Sequence, residues 1–335
     1  MIRIFAFLSL FVLLLTACGI VATDPQPVPT RTPEAASPAT GPGPTLVLAE
    51  PPLSFALPTE EGKWTPPEGA FASDKPTGTG TVNIDKAGQF TFDATQVETK
   101  RPDIFRPGHF SVFDALVRVA EQGDIDLEYH FDETMNTHVA DAINGNTNYW
   151  YRAYYAGGWA ENNAFRMDMY PYKNGTHIRL LQVQPDYLEE IHRTFAEEVQ
   201  RLERNGGQVI IPEWTVRSPA ANDSFRDVLV TPHDVRSDVF QPGVLTALDV
   251  VLSLGERGQI TAVKLTWYES IGLADPVQHY WVEQMGDAVA YGGCGFVYET
   301  GPRAFRGFTG SHVHIPSDVR VMVSPEYALW FWICL

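Results

Sequence analysis

The sequence predicts an α+β fold of two tandem units, each a mixed or antiparallel sheet with one main helix, joined by a linker helix. Two observations carry this prediction. The stretch RPDIFRPGHFSVFDALVRVAEQGDI, beginning at Arg101, returns as RSDVFQPGVLTALDVVLSLGERGQI, beginning at Arg236. Strand-like text with alternating apolar residues flanks both copies. Asp103, Phe105, Pro107, Gly108, Asp114, Glu121, Gly123 and Ile125 recur as Asp238, Phe240, Pro242, Gly243, Asp249, Glu256, Gly258 and Ile260. That spacing belongs to a repeated domain, not to a solenoid unit.

The chain opens with MIRIFAFLSLFVLLLTACG: one cation at Arg3, then an apolar run over 4–15 that is short for a bilayer span and suits the core of a signal peptide. It ends in Leu15-Thr16-Ala17-Cys18, which resembles the bacterial lipobox. That resemblance implies removal of 1–17 and a lipid on the Cys18 sulfur, with the mature protein extracytoplasmic and tethered to a bacterial membrane. Residues 18–78 are dense in Pro, Thr, Ala and Gly and read as a disordered, Pro-rich tether. Short apolar patches at 46–48 and 53–57 are places where this tether could dock on the fold behind it.

The first unit is assigned to 79–186. TVNIDKAGQFTFDATQVE supplies a leading hairpin. Pro107-Gly108 fit the second and third places of a type II turn, where Pro presets φ and Gly takes φ > 0. Ser111 and Asp114 have the spacing of a helix cap, an apolar stripe follows at helical intervals, and Gly123 stops the helix. The shared Asp therefore reads as a cap and not as a catalytic base. Strands follow in DLEYHFDE, TNYWYRAYYAG and GTHIRLLQVQP. A linker helix is assigned to 187–207, with Leu188, Ile191, Phe195, Val199 and Leu202 as one stripe and Asn205-Gly206-Gly207 as its end. The second unit, 208–335, repeats the pattern with Pro242-Gly243, Thr246, Asp249 and Gly258, then strands in AVKLTWYES, VQHYWVEQMGD, CGFVYET and DVRVMVSPEY. In this reading Tyr149-Trp150 correspond to Tyr280-Trp281, and the segment at 183–187 to that at 323–327.

The Pro-Gly turn, the SVFDAL helix, the Tyr-Trp strand and the closing GTHIRL strand resemble the transcobalamin-type C-terminal β-grasp family, over about 79–186 and more loosely 209–327. The resemblance implies two tandem β-grasp-like domains of a kind found in bacterial surface proteins. It also implies a non-catalytic unit that binds a small ligand or a protein. In animal cobalamin carriers such a module caps a corrin held against a helical barrel, and nothing in this chain resembles that barrel. No cofactor is expected; cobalamin and a divalent metal stay open as ligands.

Composition narrows the function classes. The formal charge of −17, from 24 Lys and Arg against 41 Asp and Glu, argues against nucleic acid, whose backbone is held by basic patches. Gly-x-Ser-x-Gly, Gly-x-x-x-x-Gly-Lys-Ser/Thr, strand-borne Gly-x-Gly-x-x-Gly and His-Glu-x-x-His are all missing from the sequence, so no enzyme signature is present. The richest candidate for ligand binding is the aromatic run with Tyr149, Trp150, Tyr151, Tyr154, Tyr155 and Trp159. Along a strand, Trp150 and Tyr154 face one way while Tyr149, Tyr151 and Tyr155 face the other, so one row could form an exposed platform for a small ligand, a glycan or a surface protein. His312 and His314 are candidate metal ligands two residues apart, and His130, Asp132, His138 and Asp141 form a second group. Cys294 and Cys334 are left as a possible disulfide after lipidation of Cys18. The expected function is a membrane-anchored binding module. The alternatives are a structural envelope protein with no small ligand, or a metal-dependent hydrolase built on His312 and His314.

Overall fold

The computed structural model describes residues 71–155, 165–269, 277–301 and 315–334, with the strand at 54–56 described by its backbone. The described residues form a mixed α+β fold, mostly sheet, with three α-helices. None of its helices is long and apolar enough to cross a membrane.

The chain begins with β1 (Ser54–Ala56), β2 (Thr79–Ile84) and β3 (Gly88–Asp93). Val82 and Ile84 of β2 point inward, and Gly80 sits where an added Cβ would lie 2.2 Å from the Phe92 ring. Helix α1 (Val112–Glu121) follows the predicted turn, with the Arg106 carbonyl accepting from the His109 N–H at 3.0 Å and Gly108 at φ 90°. The capping box forms as the sequence suggests. Asp114 Oδ2 accepts from the Ser111 N–H at 2.7 Å, the Asp114 N–H donates back to Ser111 Oγ at 3.2 Å, and Gly123 ends the turn beyond the helix at φ 84°. Then come the hairpin β4 (Leu127–Asp132) and β5 (Thr137–Ile143), β6 (Tyr149–Tyr155) and β7 (Thr176–Gln182).

Helix α2 (Pro185–Arg204) is the linker, begun by Pro at its first turn and closed by Asn205, Gly206 and Gly207. The second half repeats the order: β8 (Ile210–Arg217), β9 (Asn222–Leu229), α3 (Ala247–Glu256), β10 (Lys264–Tyr268), β11 (His279–Met285), β12 (Ala288–Val289), β13 (Cys294–Gly301) and β14 (Tyr327–Cys334). Thr246 and Asp249 cap α3 as Ser111 and Asp114 cap α1.

The sheet orders are the same in both halves. β3-β2-β7-β6 matches β9-β8-β14-β13, and in each the first strand of the half lies parallel to the last. The remaining strands pair as β4-β5 in the first half and β1-β10-β11-β12 in the second. The counterpart of β6 is therefore β13, not the Tyr280-Trp281 strand. Tyr151 and Tyr298 confirm the register, each donating its hydroxyl at 2.6 Å to a backbone carbonyl, of Phe165 and Ile315. The segment at 323–327 precedes β14, whereas that at 183–187 follows β7, so these two do not correspond. Alternating aromatics look alike in any strand, and only non-local pairing separates one strand from another.

The duplicated stretches meet each other. The Arg106 N–H donates to the Val239 carbonyl at 2.9 Å, and the Gln241 N–H to the Ile104 carbonyl at 2.8 Å. The Arg106 and Gln241 side chains repeat the exchange, donating to the carbonyls of Phe240 and Phe105. The Phe105 and Phe240 rings lie 5.6 Å apart between them. Each bond has its mate at the equivalent residue, so the repeat forms an isologous contact within one chain. One hydrophobic cluster draws buried residues from both halves.

Candidate functional site

The aromatic strand β6 does not offer its inner row to a ligand. Tyr149 and Tyr151 are 4% and 1% exposed, with hydroxyls donating to the carbonyls of Asp85 and Phe165. The predicted alternation is right, but this row packs into the core. Trp150, on the other row, is half-buried against His192 and Phe195 of α2, and Tyr154 stacks on His177 at 5.1 Å. A cleft of about 400 Å³, counting space open to solvent, runs beside Trp150 between β5 and α2. The Tyr155 side chain and Trp159 lie outside the described residues, as do Cys18, His312 and His314.

His130 and His138 occupy opposite faces of the β4-β5 hairpin, because His138 is paired with Phe131 and His130 with Val139. His130 Nδ1 lies 2.8 Å from Asp141, and His138 Nδ1 lies 3.0 Å from Asp168. Among the described residues no group of three His, Cys, Asp or Glu is placed to hold a metal. Cys294 and Cys334 face each other across β13 and β14 and are joined by a disulfide.

The repeat instead builds a polar cluster twice. In the first half Arg101 grips Asp103 through Nε and Nη2, at 2.9 and 2.7 Å, and donates through Nη1 to Asp168 at 3.0 Å. Asp168, in the short helical turn over Met167–Met169, also accepts from Thr137 Oγ1 and the His138 N–H. In the second half Arg236 grips Asp238 the same way and donates to Asp318 at 2.8 Å, while Asp318 accepts from the Tyr280 N–H. Asp168 and Asp318 are both fully buried. Burial pushes the Asp318 carboxyl up, but the facing His279 and Arg236 outweigh it and hold it at about 2. His279, beside Asp318, is pushed down to about 4 by burial. Each Arg also lies over an aromatic ring, Arg101 at 5.6 Å from Phe131 and Arg236 at 5.5 Å from Trp267.

What lies over the two clusters differs. In the second half the segment ahead of β2 covers it: Phe71 stacks on Trp267 at 5.3 Å, and Ser73 gives both its N–H and its hydroxyl to Asp238 at 2.9 and 3.1 Å. Strand β1 pairs with the outer edge of β10. Asp238 is 13% exposed there and Trp267 3%. In the first half Asp103 is 61% exposed and Phe131 42%, and among the described residues no strand pairs with the outer edge of β4. The open copy thus presents a carboxylate fixed by Arg101, an aromatic face and a row of backbone groups. Such a surface can accept hydrogen bonds, stack a flat group and pair a strand.

Asp103 was visible in the repeat and Arg101 begins it. Their partners were not: Asp168 lies 67 residues from Arg101, and loops of unequal length move Asp318 out of step with the duplication. The chain matches no family model, no curated protein and no solved structure.

Proposed function

We propose that this chain is an extracytoplasmic lipoprotein, anchored to a bacterial membrane through Cys18, in which two β-grasp-like domains form a non-catalytic binding module. Supporting the β-grasp reading, each half runs hairpin, helix, hairpin and two further long strands, the second half adding the short β12, and in each the strand that opens the first hairpin lies parallel to the last. The disulfide between Cys294 and Cys334 suits an oxidising compartment. The binding function rests on one observation: the cluster at Arg236 is covered by the chain's own Phe71 and Ser73, while its twin at Arg101 is open. We place the binding face there, at Asp103, Tyr129 and Phe131.

A thermal-shift panel of glycans, corrinoids, divalent metals and peptides tests the reading, run on the full-length chain and on Phe131→Ala with Asp103→Asn. At least one class is expected to raise Tm in the parent and not in the double variant. A panel without any shift, or a shift indifferent to both substitutions, refutes this placement. In cell fractions, Cys18→Ala is expected to move the protein out of the membrane pellet.

A further inference from the structure

Strands β4 and β10 are equivalent in more than order. Both carry an irregularity at matched places, between Glu128 and Tyr129 and between Lys264 and Leu265. Both set an aromatic residue, Phe131 or Trp267, beneath the repeat's arginine. The outer edge of β10 is filled by an extended piece of this chain lying antiparallel, with Phe55 opposite Leu265 and Ala56 opposite Lys264. The outer edge of β4 has no such strand among the described residues, and its Tyr129 and Phe131 are 39% and 42% exposed.

Resting on the binding-module reading above, we propose that the β4 edge receives an extended, cationic peptide segment of a partner protein, added antiparallel as a further strand. The fold contains its own template for this mode: β1 on β10, with Phe71 and Ser73 closing over the polar cluster. An exposed edge supplies affinity through backbone hydrogen bonds, and alternate side chains supply selectivity.

The required charge follows from the hairpin. The hairpin and the three residues leading into it, 124–143, carry Asp124, Asp126, Glu128, Asp132, Glu133 and Asp141 and not one Lys or Arg. Carrying the β1 register over, an incoming residue opposite Tyr129 takes the place of Phe55 and is apolar or aromatic. Its next residue faces Glu128, and the residue three before it faces Asp132; both are favoured as cations, because opposite charges directly across a strand pair attract. The residue two before it faces Phe131 and is apolar. Asp103, open beside Phe131, is left to accept a hydroxyl or N–H as Asp238 accepts Ser73. A second copy of this chain is a poorer occupant, since two chains of charge −17 repel.

The test uses the full-length chain in detergent micelles and labelled nine-residue peptides centred on Lys-Ile-Thr-Phe-Lys. Fluorescence anisotropy is expected to give at least tenfold tighter binding than for the same peptide with Glu in place of both Lys, and no binding when alternate backbone nitrogens are methylated. Hydrogen exchange is expected to slow at amides 127–132. Glu128 is exposed and makes no side-chain hydrogen bond among those described, so Glu128→Lys keeps the fold and should shift preference toward the Glu peptide. Equal affinity for Lys and Glu peptides, or binding that survives methylation, overturns the proposal. So does slowed exchange at β4 that grows with protein concentration and no peptide, which assigns the edge to a second copy. A glycan or corrinoid that binds at Phe131 while all peptides fail would overturn strand addition and leave the binding module standing.

Discussion

The two halves carry the same arginine-centred cluster under different cover: both arginines are buried, but Asp238, beside Phe71 and Ser73, is 13% exposed while Asp103 is 61% exposed. The grip on the neighbouring carboxylate, the reach to a buried Asp and the ring beneath the guanidinium are the same in both. The cluster itself is therefore a folding device, and the halves differ in its cover. In each copy the arginine ties the loop before its helix to the segment carrying Asp168 or Asp318, which no local interaction would hold.

The largest test of that comparison removes each arginine in turn. Arg236→Ala leaves Asp318 buried without its cation, an effect of about 3–5 kcal/mol for broken buried pairs. Arg101→Ala should cost less. Asp103 is largely solvated, and Asp168 keeps Thr137 and the His138 N–H as donors. Urea unfolding followed by tryptophan fluorescence measures both; equal losses would mean that the cover adds nothing to the second cluster.

The next effect separates the halves by pH. His279 is buried and held at about 4, below the 6.5 of a free imidazole, whereas the place it occupies beside the buried Asp is taken by Thr137 in the first half. The unfolded chain then binds the proton that the folded chain refuses. Stability contributed by neutral His279 is present above pH 6.5 and is lost as pH falls toward 4. Burial also depresses His109 to about 4, with the same sign. Glu198 of α2 opposes both: burial and the nearby Glu326 raise it to about 7, so its ionisation weakens the fold as pH rises from 4.5 to 7. The wild-type curve mixes these slopes, and the difference between wild type and His279→Thr isolates one. That difference in Tm should grow in favour of wild type between about pH 4 and 6.5 and stay flat above; a flat difference throughout would show that His279 does not titrate with folding.

Sequence made the local devices legible and left the long-range ones hidden. Pro107-Gly108, the Ser111 and Asp114 cap, the Gly123 stop and the α2 stripe each act within a few residues, so their chemistry can be read in order along the chain. The apolar patch at 53–57 was also readable as a docking point, and β1 lies within it. Whether Tyr149 and Tyr151 face core or solvent depends on α1 and the chain after β6, which no local pattern records. The pairing of Arg101 with Asp168 is equally non-local. The exposed Tyr129 and Phe131 stand in an ordinary alternating strand, and only comparison of the two folded copies reveals that one of them lacks a cover.

The smallest expected change bears most directly on that cover. Phe71 stacks on Trp267 and Ser73 makes three hydrogen bonds to the second cluster, two to Asp238 and one accepted from Arg236 Nη2, so Phe71→Ala with Ser73→Ala should lower stability by about 1–2 kcal/mol. The Ser73 N–H bond to Asp238 survives this substitution, which keeps the loss modest. Trp267 becomes more accessible, and its emission should move to longer wavelength and become quenchable by iodide. If cover alone distinguishes the halves, peptide binding should rise above one site per chain once β1 is also weakened by proline at Phe55. A stoichiometry that stays at one after β1 is displaced would locate the difference in the strands themselves. Lys264 on β10 stands where Glu128 stands on β4, and a cationic peptide would meet repulsion there. The peptide with Glu in place of Lys then becomes the discriminating probe, binding the uncovered second half in preference to the first.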